Sequence, residues 1–197
     1  MRVVPFSLFL AFLVPGVSFG QESARNVRVE LETELGLILV ELYPTQAPNT
    51  VANFLEYVDG GFFDGGTFHR TVHHGNQPND SVLITVIQGD ISTGRRRDRG
   101  EAIALERTNK TGLKHLDGTL SMARSGPDTA TSSFFICIDD QPELDFGGRR
   151  NPDGQGFAAF GAVLEGIDVV RAINRSPAEG QSLSPPIRIL EARWING

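Results

Sequence analysis

Cysteine is nearly absent: Cys137 is the only one in 197 residues. No intramolecular disulfide can form, so the fold has to be held by its apolar core, which a chain of this length can supply, and the lone thiol is expected to be buried. Beyond the first twenty residues there is no long apolar run, which excludes a second membrane segment. Basic residues are in deficit, 18 Lys and Arg against 24 Asp and Glu. That balance disfavours nucleic acid and anionic membrane surfaces as partners. Neither a Gly-x-Ser-x-Gly elbow nor a Ser-His-Asp order occurs, so hydrolase chemistry has no support. The acidic cluster Asp139, Asp140, Glu143 and Asp145 lacks the spacing of an EF-hand. No repeat of fixed period and no interdomain linker interrupt the chain.

What is present begins with a leader. Arg2 gives a positive start, Val3 to Leu13 is a nearly continuous apolar run, and Val17-Ser18-Phe19-Gly20 places small residues at the −3 and −1 positions of a cleavage site. This is the pattern of a cleavable secretory signal peptide over residues 1–20. An uncleaved anchor is the competing reading, but the run is short against the roughly 20 residues a spanning helix needs, and Pro15 interrupts it. Residues 21–197 are then one exported domain, periplasmic or secreted and free of the membrane. Loss of Arg2 moves its net charge from −6 to −7.

Along that domain, Val27, Val29, Leu31 and Thr33 alternate with polar residues, Glu34-Leu35-Gly36 offers a turn, and Leu37 to Leu42 resumes the extended pattern. A β-hairpin is predicted. Val51, Phe54, Leu55 and Val58 have helical spacing, with Thr50 as the expected N-cap and Gly60-Gly61 as the stop. Short strands are expected at Phe68 to Val72, Val82 to Ile87, Leu120 to Arg124, Phe134 to Ile138, Ala158 to Leu164 and Ile187 to Ile195, with a second helix over Ile167 to Ile173. Seven or eight strands with two helices suit a closed antiparallel barrel or a helix-capped sandwich. His73 to Asp80 and Ile91 to Asp117 read as binding-surface loops.

Two clusters suggest other chemistry. His69, His73 and His74 could chelate a metal, but the segment reads as strand running into loop and nothing completes a ligand set, so neither metal nor cofactor is expected. Arg95-Arg96-Arg97 with Arg99 reads as a solvated loop; beside a peptide groove it would favour acidic segments.

Five short strings occur in a specific order: Phe68-His69-Arg70, Gln88-Gly89-Asp90, Ser121-Met122-Ala123-Arg124, Ser132-Ser133-Phe134-Phe135-Ile136 and Phe160-Gly161. Together they resemble the cyclophilin family of peptidyl-prolyl cis-trans isomerases over about Val27 to Trp194, and Met-Ala-Arg with Asp128 to Ser132 is most similar to its bacterial periplasmic branch. The resemblance implies a mainly β fold, a closed eight-stranded antiparallel barrel capped by two α-helices. It implies Arg70 as the catalytic arginine, with Gln88 helping to hold it and the peptide backbone. It assigns Phe135 to the floor of a proline pocket, with Val86, Leu144, Phe157 and the Thr85 position around it, and gives Ala123 and Arg124 the strand end that pairs with bound peptide. Phe134, next to Phe135, should face the core by alternation. The chain departs from the family pattern at Thr85, where an aromatic is usual, at Glu143, at Ser133, at the single Gly89 and in the inserted loop at His73 to Asp80. The implied activity is isomerisation of X-Pro bonds in exported polypeptides, without a cofactor and by a monomer. The alternative is a non-catalytic module of the same fold that only holds proline-containing segments.

Overall fold

The computed structural model describes residues 26–195, so the leader expected at 1–20 lies outside the described residues. The first hairpin follows its alternation. Strand β1 (Val27–Thr33) pairs antiparallel with β2 (Gly36–Leu42), and Val29, Leu31, Ile38, Val40 and Leu42 point inward with no exposed surface. Thr33 Oγ1 donates to Gly36 O at 2.7 Å and accepts from Leu35 N at 3.2 Å, closing the turn.

Helix α1 (Pro48–Asp59) starts earlier than Thr50. Pro48 suits a first helical turn because its missing N–H would have no intrahelical partner there. Thr50 is instead a buried first-turn residue capped from afar. Its N–H and Oγ1 donate to Glu106 Oε2 at 2.8 and 2.6 Å, and Asn49 N donates to Oε1 at 3.1 Å. A carboxylate from a loop thus satisfies the orphan donors and complements the positive helix end.

The remaining elements are β3 (Thr67–Val72), β4 (Val86–Asp90), a single helical turn α2 (Thr108–Thr111), β5 (Thr119–Met122), β6 (Phe134–Cys137), β7 (Ala158–Glu165), α3 (Ile167–Asn174), β8 (Ala178–Glu179) and β9 (Ser182–Ile195). The sheet runs β1-β2-β7-β5-β6-β4-β3-β9, and β9 pairs back onto β1, closing an eight-stranded antiparallel barrel. The two-residue β8 is a flap on the start of β9. The strand expected at Val82 to Ile87 lies later, at Val86 to Asp90, and the final strand begins earlier than Ile187, continuing through Pro185 and Pro186.

Phenylalanines fill the barrel. Phe134 sits edge-on to Phe54, Phe63 and Phe68, with ring centroids 5.4, 5.4 and 5.7 Å away. Gly89 fits closely between two of these rings, since a Cβ there would lie 3.0 Å from Phe134 and 3.2 Å from Phe68 and would press both rings aside. A packed interior leaves no room for a ligand, so a site has to be built on the outer wall. There Val72, Ile84, Val86, Phe135, Cys137 and Leu144 form a second apolar cluster. The Cys137 thiol is buried in it, and burial, followed by Asp145 and other nearby acids, pushes its pKa well above the usual range.

Candidate active site

The registers align one outward residue from each of four strands: Arg70 on β3 opposite Gln88 on β4, Gln88 opposite Phe135 on β6, and Phe135 opposite Ser121 on β5. Strict alternation would point Arg70 the same way as Phe68, into the core. A β-bulge prevents this. Phe68 pairs with Gly89 and Arg70 with the adjacent Gln88, so His69 is the extra residue and the strand changes face after it. His69 remains a packing residue with its Nδ1 buried and unpartnered, and burial lowers its pKa.

Arg70 is clamped from two sides. Its Nη1 donates to Gln88 Oε1 at 2.9 Å, while Nε and Nη2 donate to Gln181 Oε1 at 2.9 and 2.5 Å. Both amides are themselves fixed. Gln88 Nε2 donates to Ser133 Oγ at 3.0 Å and Gln181 Nε2 to Asn76 O at 3.2 Å. Asn76 belongs to the inserted segment and ties back through Nδ2 to Thr71 O and Gly180 O, both at 3.0 Å. A guanidinium has five N–H donors. Three are used here, and the other two have no partner among the described residues. Burial, and then the nearby Arg150 charge, lower the Arg70 pKa, yet arginine stays protonated throughout the physiological range.

Beside this group a cavity of about 220 Å³ is lined by Arg70, Ile84, Val86, Gln88, Ala123, Arg124, Phe135, Leu144, Arg150, Asn151 and Phe157. Phe135 forms an apolar surface with the Phe157 ring edge-on at 5.3 Å. The loop carrying Leu144 and Phe157 is tied down by Arg124, whose side chain is only 2% exposed. Its Nε donates to Gly156 O at 2.8 Å, its Nη1 and Nη2 grip the two Asp153 oxygens at 2.8 and 2.9 Å, and its guanidinium lies 5.1 Å from the Phe157 ring centre. Those charged bonds, with the Gln155 N–H, hold the Asp153 pKa at about 2. The Arg124 side chain is therefore a brace, whereas its backbone groups and the Ala123 carbonyl have no hydrogen-bond partner among the described residues. Such a strand end can pair with an extended peptide.

Thr85 does not line the cavity; its neighbours Ile84 and Val86 do. Glu143 is also outside it, paired with Arg149. The basic loop lies elsewhere: Arg95 stacks 4.0 Å over Phe62 and Arg99 pairs with Asp90. Sequence reasoning missed Gln181, Arg150 and Asn151, which come from segments without periodicity, and Ile84, which lies in the run expected as a strand but ahead of β4. It also missed His115, whose ring links Asp145 Oδ1 at 2.8 Å to Ser121 Oγ at 2.9 Å and stacks on Phe135 at 6.0 Å. These three residues form a serine-histidine-aspartate chain by contact, but Ser121 has no exposed surface and lines no part of the cavity, so the chain braces the wall behind Phe135.

A family described as "Cyclophilin type peptidyl-prolyl cis-trans isomerase/CLD" matches residues 28–194. A peptidyl-prolyl cis-trans isomerase of Acinetobacter baylyi is 33% identical over 190 residues, 93% of this chain and 94% of the relative. Peptidyl-prolyl cis-trans isomerase B of Escherichia coli is 33% identical over 155 residues, 78% of this chain and 87% of the relative. A cyclophilin-type isomerase of Cryptosporidium parvum shares the fold with a TM-score of 0.70 at 23% identity, covering 88% of this chain and 99% of its own. A second structure of that protein, determined in the presence of the dipeptide Ala-Pro, has a TM-score of 0.69 at 23% identity and covers 86% and 99% of the two chains.

Proposed function

The chain belongs to the cyclophilin-type peptidyl-prolyl cis-trans isomerase family, and we propose that it accelerates rotation about X-Pro bonds in exported polypeptides, with Arg70 as the catalytic residue. The observation that carries this reading is the guanidinium fixed by two neutral amides beside a cavity that Phe135, Val86, Leu144 and Phe157 line on its apolar side, with two N–H donors left over.

An X-Pro amide resists rotation because lone-pair resonance gives it partial double-bond character, with a barrier of roughly 18–20 kcal/mol. No bond breaks and nothing is transferred, so neither nucleophile nor general base is required. As the amide twists, its nitrogen pyramidalises and becomes a hydrogen-bond acceptor. The remaining Arg70 donors stabilise that twisted state more than either planar one. The proline ring rests on Phe135 between Val86, Leu144 and Phe157, while Ala123 and Arg124 hold the preceding backbone as an added strand. Charge-assisted donors in such a site contribute about 3–4 kcal/mol of transition-state stabilisation, on the scale of lost oxyanion-hole donors.

The exported setting rests on the leader pattern at 1–20, and with it a place in the periplasmic branch and folding polypeptides as partners. A protease-coupled proline-peptide assay on residues 21–197 tests the activity. Arg70→Ala should lower kcat/KM by roughly 10²–10³ while peptide affinity changes little, and Arg70→Lys should restore little, because an ammonium cannot reproduce the planar fork. Wild-type isomerisation by a folded Arg70→Ala protein would refute the assignment. Peptide binding without isomerisation in the unmodified protein would make it a holding module.

A further inference from the structure

The cavity wall is cationic in an acidic protein. Arg70, Arg124 and Arg150 line it and no carboxylate does, although the chain's net charge is −6. The three arginines are not equivalent. Arg124 is neutralised by its two-point grip on Asp153. Arg70 bonds only to neutral amides, so its charge has no counter-ion in contact. Arg150 is held by the connection between β3 and β4: its Nη1 donates to Val82 O at 2.7 Å and stands 3.1 Å from Asp80 Oδ2, at the end of the inserted loop. The Arg150 side chain is 14% exposed and that of Asp80 40%. Water therefore screens the carboxylate more than the guanidinium, and the pair compensates only partly on the cavity side. Burial and then the Arg150 charge disfavour the charged form of Arg70, and the Asp80 carboxylate offsets them only in part, since the net direction is downward. Two partly desolvated like charges on one cavity gain from an anion placed between them.

We propose that this site prefers X-Pro segments with a carboxylate side chain next to the proline, and that Arg150, positioned by the Val82 carbonyl and only partly neutralised by Asp80, is the residue that sets the preference. The inference rests on the isomerase reading above. It also accounts for the insertion, whose other end, through Asn76 and Gln181, steadies Arg70.

The test uses peptide pairs that differ only in Glu against Gln, placed before the proline in one series and after it in another. A Glu/Gln ratio in kcat/KM of about three to ten is expected at low ionic strength in at least one series, contracting toward one near 1 M salt, where the Debye length falls to about 3 Å. Arg150→Gln should at least halve the ratio, and Asp80→Asn, which leaves the cavity lining intact, should raise it. A ratio of one in both series, with the Gln peptides still turned over, overturns the preference and leaves the isomerase reading standing. Failure to isomerise any peptide removes both. An undiminished ratio in Arg150→Gln, or an unchanged one in Asp80→Asn, removes Arg150 from the role; because Asp80 is on the surface, the second variant decides even if the first fails to fold.

Discussion

Phe134 and Phe135 are adjacent in sequence and divided by the barrel wall, so truncating each should damage a different property. Phe134 has no exposed surface and meets three phenylalanine rings edge-on at 5.4 to 5.7 Å. Phe134→Ala opens a closed void among rigid rings that cannot collapse, which costs about 3–5 kcal/mol. At about 2–4 °C per kcal/mol for a domain of this size, the melting temperature should fall by roughly 6–20 °C. Phe135 is 5% exposed and borders the cavity of about 220 Å³. Its removal merges the void with a space water already reaches, so the loss of stability should lie near or below about 3 kcal/mol, the low end for a truncated aromatic. The proline ring then loses its floor, an apolar contact worth about 1.5–3 kcal/mol, or roughly 10- to 100-fold in kcat/KM. Differential scanning calorimetry and the isomerase assay, run well below both transitions, read the two effects separately. Equal falls in melting temperature, with activity following only the folded fraction, would refute the division of the pair.

Isomerase activity should be nearly flat between about pH 5.5 and 9, since arginine stays protonated there and no general base acts; a bell-shaped profile with an apparent pKa near 6.5, that of a histidine, would refute this. The Arg124–Asp153 tie leaves the plateau intact, because a carboxyl held at about 2 is ionised throughout it. The stability it contributes is present above the ordinary carboxyl pKa of 3.8 and disappears as pH falls through about 2. Gln181→Ala should lower kcat about tenfold with KM nearly unchanged, because it removes two of the three bonds that orient Arg70. A merely structural Gln181 would instead lower the melting temperature with kcat intact.

Periodicity alone revealed the first hairpin, α1 and α3, because each buries one face against the core and its apolar residues recur at the matching interval. It could not fix what depends on partners distant in sequence. Glu106 caps α1 at Thr50 across 56 positions, so the capping partner cannot be read locally, and Pro48 is the one local mark of the true first turn. The offset of β4 has the same origin: Val82 to Ile87 is as apolar as a strand, but only Val86 to Asp90 finds partners on β3 and β6. Short ordered strings pointed to Arg70, Gln88, Val86, Phe135, Leu144 and Phe157, all of which border one cavity. Thr85 was misplaced because a one-residue difference in facing cannot be read from a string. Gln181 and Arg150 were invisible, since a polar residue in an irregular loop acquires its neighbours only when the barrel closes.

The row Arg70, Gln88, Phe135 and Ser121 takes one residue from each of four strands, and a slip of one residue on any strand would turn its member to the opposite face. The clamp on Arg70 reaches Gln181 across 111 positions, and contacts of such separation are the slow ones to form, so the groove is a late product of folding, complete only when the ring of strands has closed. A newly made chain would therefore have nothing to offer its own prolines. Whatever help it needs with them has to come from a molecule that finished first.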